Sequence, residues 1–94
     1  MSEITIFRLR IKGAVQGVGY REWAMAEAKG RGLDGWVRNR SDGSVEMLIA
    51  GADAKVEDML KAATQGPSAA QVTNIDIHKE TEVPDAGFVR RPTM

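Results

Sequence analysis

An α+β sandwich, one antiparallel sheet with two helices on one face, is the fold this sequence predicts. Three features predict it: residues 5–12 alternate apolar with basic or polar side chains, residues 53–65 repeat their apolar positions with a helical period, and the elements run strand, helix, strand, strand, helix, strand. That order is the split βαβ arrangement, in which right-handed crossovers lay both helices on the same side of the sheet. Ninety-four residues, 43% of them hydrophobic, suffice for one domain over 1–94 with one core.

The first strand spans Thr5 to Lys12, with Phe7, Leu9 and Ile11 on its core side and Arg8, Arg10 and Lys12 on the other. Tyr20 to Lys29 is rich in Ala, Glu, Met and Lys, and Tyr20, Ala24 and Ala28 share one helical face; Gly30 and Gly32 end the helix. Leu33–Arg40 and Ser44–Ala50 are two strands that Asp42-Gly43 turns into an antiparallel hairpin. In the second helix, Val56, Met59, Leu60 and Ala63 fall at i, i+3, i+4 and i+7, with Asp53 as N-cap and Gly66-Pro67 as the stop. Val72 to Lys79 is a fourth strand with Ile75 and Ile77 inward, and Gly87–Arg91 a short fifth.

Composition narrows the function classes. Thirteen basic and thirteen acidic residues cancel, which leaves no long-range field for nucleic acid or an anionic membrane surface, so any anion site must be local. Cysteine is absent, which excludes disulfides and thiolate metal sites. Glu3 and Arg8 interrupt any leader-like apolar stretch, and the longest apolar run, Met47–Ala52, is too short to span a bilayer. A cytoplasmic protein is the expectation. An RNA-binding module of this architecture would carry aromatics on the open sheet face, whereas the first strand presents Arg8, Arg10 and Lys12 there and the chain has five aromatic residues in all.

The stretch Gly13-Ala14-Val15-Gln16-Gly17-Val18-Gly19-Tyr20-Arg21 joins the first strand to the first helix. Its glycines suit a sharp turn, and they equally suit a loop that offers its amides to a ligand. The spacing G-x-x-x-G-x-G is neither a dinucleotide fingerprint nor a P-loop. Arg21 in the first helical turn is disfavoured by the helix dipole by about 0.3–1 kcal/mol. An anion held between loop amides, helix end and guanidinium reverses that sign. Asn39 shares its side parity with Val37 and so points to the helix-covered face at the rim of its strand; a plain turn residue is the competing reading. His78 falls on the fourth strand and reads as solvated, while Asp42 and Glu46 read as hairpin residues and not as an acid/base pair. No Asp/His cluster has metal-ligand spacing.

Gly13 to Arg21 resembles the first signature of the acylphosphatase family, G-x-V-Q-G-V-x-F/Y-R. Gly35-Trp36-Val37-Arg38-Asn39 with Asp42-Gly43 and Val45 resembles the second, G-x-V-x-N-x-x-D-G-x-V. The similarity continues through Gly30-x-Gly32-Leu33, Gly66-Pro67 and Arg91-Pro92-Thr93. The resemblance implies a ferredoxin-like fold and hydrolysis of the carboxyl-phosphate anhydride of small acyl phosphates, without metal or cofactor, by a monomer. It implies that the backbone amides of Val15, Gln16, Gly17, Val18, Gly19 and Tyr20 cradle the phosphate, that Arg21 binds its oxygens, and that Asn39 holds the attacking water. A related domain within a larger carbamoyl-transfer protein is the third reading, disfavoured by the lack of a zinc or nucleotide segment in these residues.

Overall fold

The computed structural model describes residues 4–94; Glu3 lies outside them. Its elements are β1 (Ile4–Ala14), α1 (Tyr20–Gly30), β2 (Asp34–Asn39), β3 (Val45–Ala52), α2 (Asp53–Gln65), β4 (Gln71–Lys79) and β5 (Phe88–Arg90). They form one sheet in the order β4-β1-β3-β2-β5. Each neighbouring pair among the four longer strands is antiparallel; β5 adds itself to the free edge of β2 in parallel, setting Gly35 against Phe88 and Val37 against Arg90. The helix α1 lies over β2 and β5, and α2 over β1, β3 and β4.

Side-chain parity along the strands assigns the core. Leu9, Ile11, Val37, Val45, Met47 and Ile49 point under the helices and meet Tyr20, Ala24 and Ala28 of α1 and Val56, Met59 and Ala63 of α2, all fully buried. Each of the Leu, Ile, Val and Met side chains among them contributes roughly 1.5–3 kcal/mol on removal from water. Ile77 shares that face but is 47% exposed, because β4 is an edge strand and α2 covers it only as far as Ile75. Ile77 therefore faces inward, as expected, but is not buried. Nor does Asp53 cap α2: β3 runs into the helix without a loop, Ala52 occupies the cap position, and the Asp53 carboxylate accepts a hydrogen bond from the Thr5 hydroxyl.

The open face is less uniformly basic than the pattern of β1 suggests. Ile6, Trp36, Leu48 and Ala50 form a second, smaller apolar cluster there. Arg38 and Arg91 stack on Trp36, their guanidinium carbons 4.6 and 5.0 Å from the ring centroid. Beside this cluster Glu46, 2% exposed, is a buried carboxylate on the β3 strand of the hairpin. It receives Arg38 at 2.7 Å, Arg8 at 3.0 Å and Arg40 at 3.2 Å. Burial pushes its carboxyl up, but the hydrogen bonds and charges of these arginines outweigh burial and hold it below the ordinary range. A carboxylate whose affinity for protons falls on folding stabilises the fold above its unfolded pKa, and that contribution is lost as pH falls through the folded value. Glu46→Gln is therefore expected to cost about 2 kcal/mol near neutral pH, or roughly 10 °C in Tm. The difference from wild type should narrow in acid, which thermal melts across pH would read.

Candidate functional site

Two of the three glycines of the β1–α1 segment form the loop proper. Gly13 remains in β1 at a bulge against β4, where φ is +127° and a β-carbon would sit 2.1 Å from the Gln71 carbonyl oxygen. Gly17 and Gly19 adopt φ of +73° and +80°, left-handed values that other residues reach only under strain, although both α-carbons face open space. At these two positions the loop requires glycine for backbone angle, not for room.

The loop enters α1 with Gly19 as N-cap, and no side chain caps the first turn. Nor do the backbone N–H groups of residues 16–19 donate a hydrogen bond to any partner among the described residues. These unspent donors and the positive end of the helix dipole together make a cradle for an anion. Trp23 N–H closes the first helical bond onto Gly19, which fixes the loop to the helix.

Side chains hold the loop in place from behind. Gln16 donates through Nε2 to the carbonyls of Arg40 (2.7 Å) and Ser44 (2.8 Å), tying the loop to the β2–β3 turn. That turn is itself closed by Asp42, whose Oδ1 accepts from the Ser44 N–H (2.9 Å) and hydroxyl (2.6 Å). Tyr20 turns inward, donates its hydroxyl to the Ala63 carbonyl at 2.7 Å, and meets Trp23 edge-on at 5.3 Å. Burial pushes its phenol above the usual range, so it offers the site an amide and not an acid.

A pocket of about 200 Å³ opens at this end of the sheet, lined by Val15, Gly17, Gly19, Tyr20, Arg21, Glu22, Asn39 and Arg90. Arg21 and Asn39, from α1 and the last residue of β2, therefore face one space despite the seventeen residues between them. Arg21 is partly buried and forms no ion pair among the described residues. The Asn39 side chain makes no hydrogen bond there either, although its backbone carbonyl accepts from the Met94 N–H at 3.1 Å. Met94 in turn accepts from the Ser41 N–H, and Arg91 N–H donates to the Val37 carbonyl. The segment after β5 thus braces the backbone of Asn39.

The side chains of Gln16 and Val18 turn away from the pocket, the first to the hairpin and the second to the core, while their backbone N–H groups remain among the unbonded donors of the loop. Glu22 and Arg90 line it without having been expected. Arg90 had a signal in the sequence, since it follows Phe88 by two and so shares the core-facing side of the short fifth strand. His78 lies on exposed β4 opposite Arg8, outside the pocket. Among the described residues no helix is long and apolar enough to cross a membrane.

The acylphosphatase family model matches residues 7–89. An acylphosphatase of Rhizorhabdus wittichii is 45% identical over 93% of this chain and 88% of its own length. The crystal structure of acylphosphatase from Bacillus subtilis superposes with a TM-score of 0.88 at 33% identity, covering 93% of this chain and 98% of that one. An acylphosphatase structure from Coxiella burnetii gives 0.89 at 30% identity, covering 94% and 93%.

Proposed function

The chain belongs to the acylphosphatase family, and from that premise we propose how its own residues carry out hydrolysis of the carboxyl-phosphate anhydride. The amides of the loop between β1 and α1 take the phosphate oxygens, and the Arg21 guanidinium, a planar fork of donors, binds two of them at once. The Asn39 amide accepts a hydrogen from a water and holds it in line with the bond to be broken. The observation that supports this reading is the single pocket shared by the loop, Arg21 and Asn39.

The chemistry needs little more. Water attacks phosphorus, the P–O bond to the acyl group breaks, and the electron pair leaves on a carboxylate, which is stable at neutral pH without an acid to protonate it. The proton of the attacking water passes to a phosphate oxygen of the substrate, so an acyl phosphate dianion and water give a carboxylate and dihydrogen phosphate. Phosphoryl transfer of this kind rewards positioning and charge stabilisation over covalent chemistry. The loop amides and Arg21, unpartnered among the described residues, suit that requirement because they need no rearrangement before the anion arrives. The proposed working unit is one chain, with no metal or cofactor.

Benzoyl phosphate should release inorganic phosphate at a rate that added chelator does not change. Inorganic phosphate should compete with it and raise the Tm of the wild type through mass action, by about 2.7 kcal/mol of stability at one hundred times its Kd. Arg21→Ala should lose most of that increment. Equal stabilisation of both proteins would assign the effect to salt in general and remove the argument for a site.

A further inference from the structure

The chain has eight arginines. Arg8, Arg10, Arg31, Arg38 and Arg40 pair with carboxylates, and Arg91 stacks on Trp36. Among the described residues only Arg21 and Arg90 do neither, and both line the pocket described above. A second guanidinium at the same opening, without a partner among the described residues, is exposed and available to work on a bound anion.

The surroundings of Arg90 indicate what that work is. The pocket continues into a shallow groove of about 470 Å³ along α1, lined by Glu22, Met25, Ala26, Lys29 and Arg90. The four helix residues are spaced i, i+3, i+4 and i+7 and so form one stripe. Glu22 and Arg90 belong to both spaces and therefore mark their junction. Arg90 reaches it because its strand position, opposite Val37, turns it to the helix side. Beyond the junction the floor is apolar, Met25 and Ala26, and the far end carries Lys29, about 12 Å along the helix axis from Arg21.

Resting on the proposed function, we infer that this groove receives the acyl group, and that Arg90 and Lys29 select acyl phosphates whose acyl chain ends in a second carboxylate. The groove holds two cations and one carboxylate. Glu22 stands at the junction, where it repels an anion close to the phosphate, so the favoured place for a second negative charge is distal, between Arg90 and Lys29. A methylene chain between the two anionic ends lies on Met25 and Ala26. Arg90 and Lys29 are here specificity determinants, distinct from the proposed roles of Arg21 and Asn39 in the reaction itself.

The test compares kcat/KM for succinyl phosphate and acetyl phosphate in the same preparation. The wild type should favour succinyl phosphate by about fivefold at low salt, the scale of a partly exposed ion pair, mostly through KM. Added sodium chloride should shrink the preference. Arg90→Ala and Lys29→Ala should each move the ratio toward one, and Arg90→Lys should retain part of it. Because the ratio is internal to each protein, a general loss of turnover leaves it unmoved. Hydrolysis of both substrates with no preference in the wild type, or a preference unchanged in both alanine variants, would overturn the inference while leaving the proposed function standing. Hydrolysis of neither overturns the proposed function and the inference with it.

Discussion

Arg21→Ala should reduce hydrolysis of benzoyl phosphate by about three orders of magnitude or more while the protein remains folded. The magnitude follows from the charge that arginine stabilises as the phosphoryl group transfers, for which loss of a guanidinium costs about 10³–10⁵ in rate. The intact fold follows from the side chain's surroundings: Arg21 has no ion pair among the described residues, and relief of a cation from the positive end of α1 is mildly favourable. Arg21→Lys should recover little, since an ammonium restores the charge without the two parallel hydrogen bonds. Steady-state kinetics beside a thermal melt checks both halves. Near-normal turnover by either variant would remove Arg21 from the role proposed for it.

Asn39→Ala should behave differently. The proposed partner of Asn39 is water and not phosphate, so kcat should fall by about 10² or more while the inhibition constant of inorganic phosphate stays near wild type. A positioned nucleophile that is lost is a defect of the transition state, whereas a lost cradle residue is a defect of ground-state binding as well. Stability should change little, because the Asn39 side chain holds nothing among the described residues and its backbone stays braced by Met94. If kcat is kept and phosphate binding weakens, Asn39 belongs to the cradle and the water is oriented by another group.

The parts of this architecture that rest on local periodicity were legible in the sequence. Leu9 and Ile11 alternate with arginines, and Val56, Met59 and Ala63 repeat at helical spacing, so their burial follows from chain geometry alone. Arg21 stood out because its charge opposes the helix dipole, and the parity of Asn39 with Val37 indicated its face. What was not legible depends on which strand lies beside which. Ile77 has core parity, but its exposure follows from β4 being an edge. Ile6 shares its face with Arg8 and Arg10, yet it is buried because β3 and β2 bring Leu48 and Trp36 beside it. Gln16 reads as one more loop residue until the hairpin arrives to accept its two hydrogen bonds. Asp53 has the chemistry of a cap, and only the absence of a loop before α2 moves it into the helix.

The sheet order also governs when the pocket can come into existence during folding. Among the described residues the single pairing between strands adjacent in sequence is the β2–β3 hairpin, which holds Asn39 and the turn that Gln16 grips. Every other pairing joins distant stretches: β1 must find β3 and β4, and β5 must return to β2. Closing such loops before their contacts are rewarded makes a chain slow to fold compared with a helical bundle of equal length. The loop amides and Arg21 belong to the start of the described chain, Asn39 to its middle, and the brace on Asn39 to its end. The pocket therefore draws on the loop, α1, β2 and β5 together, and its lining is complete only once β5 has closed on β2.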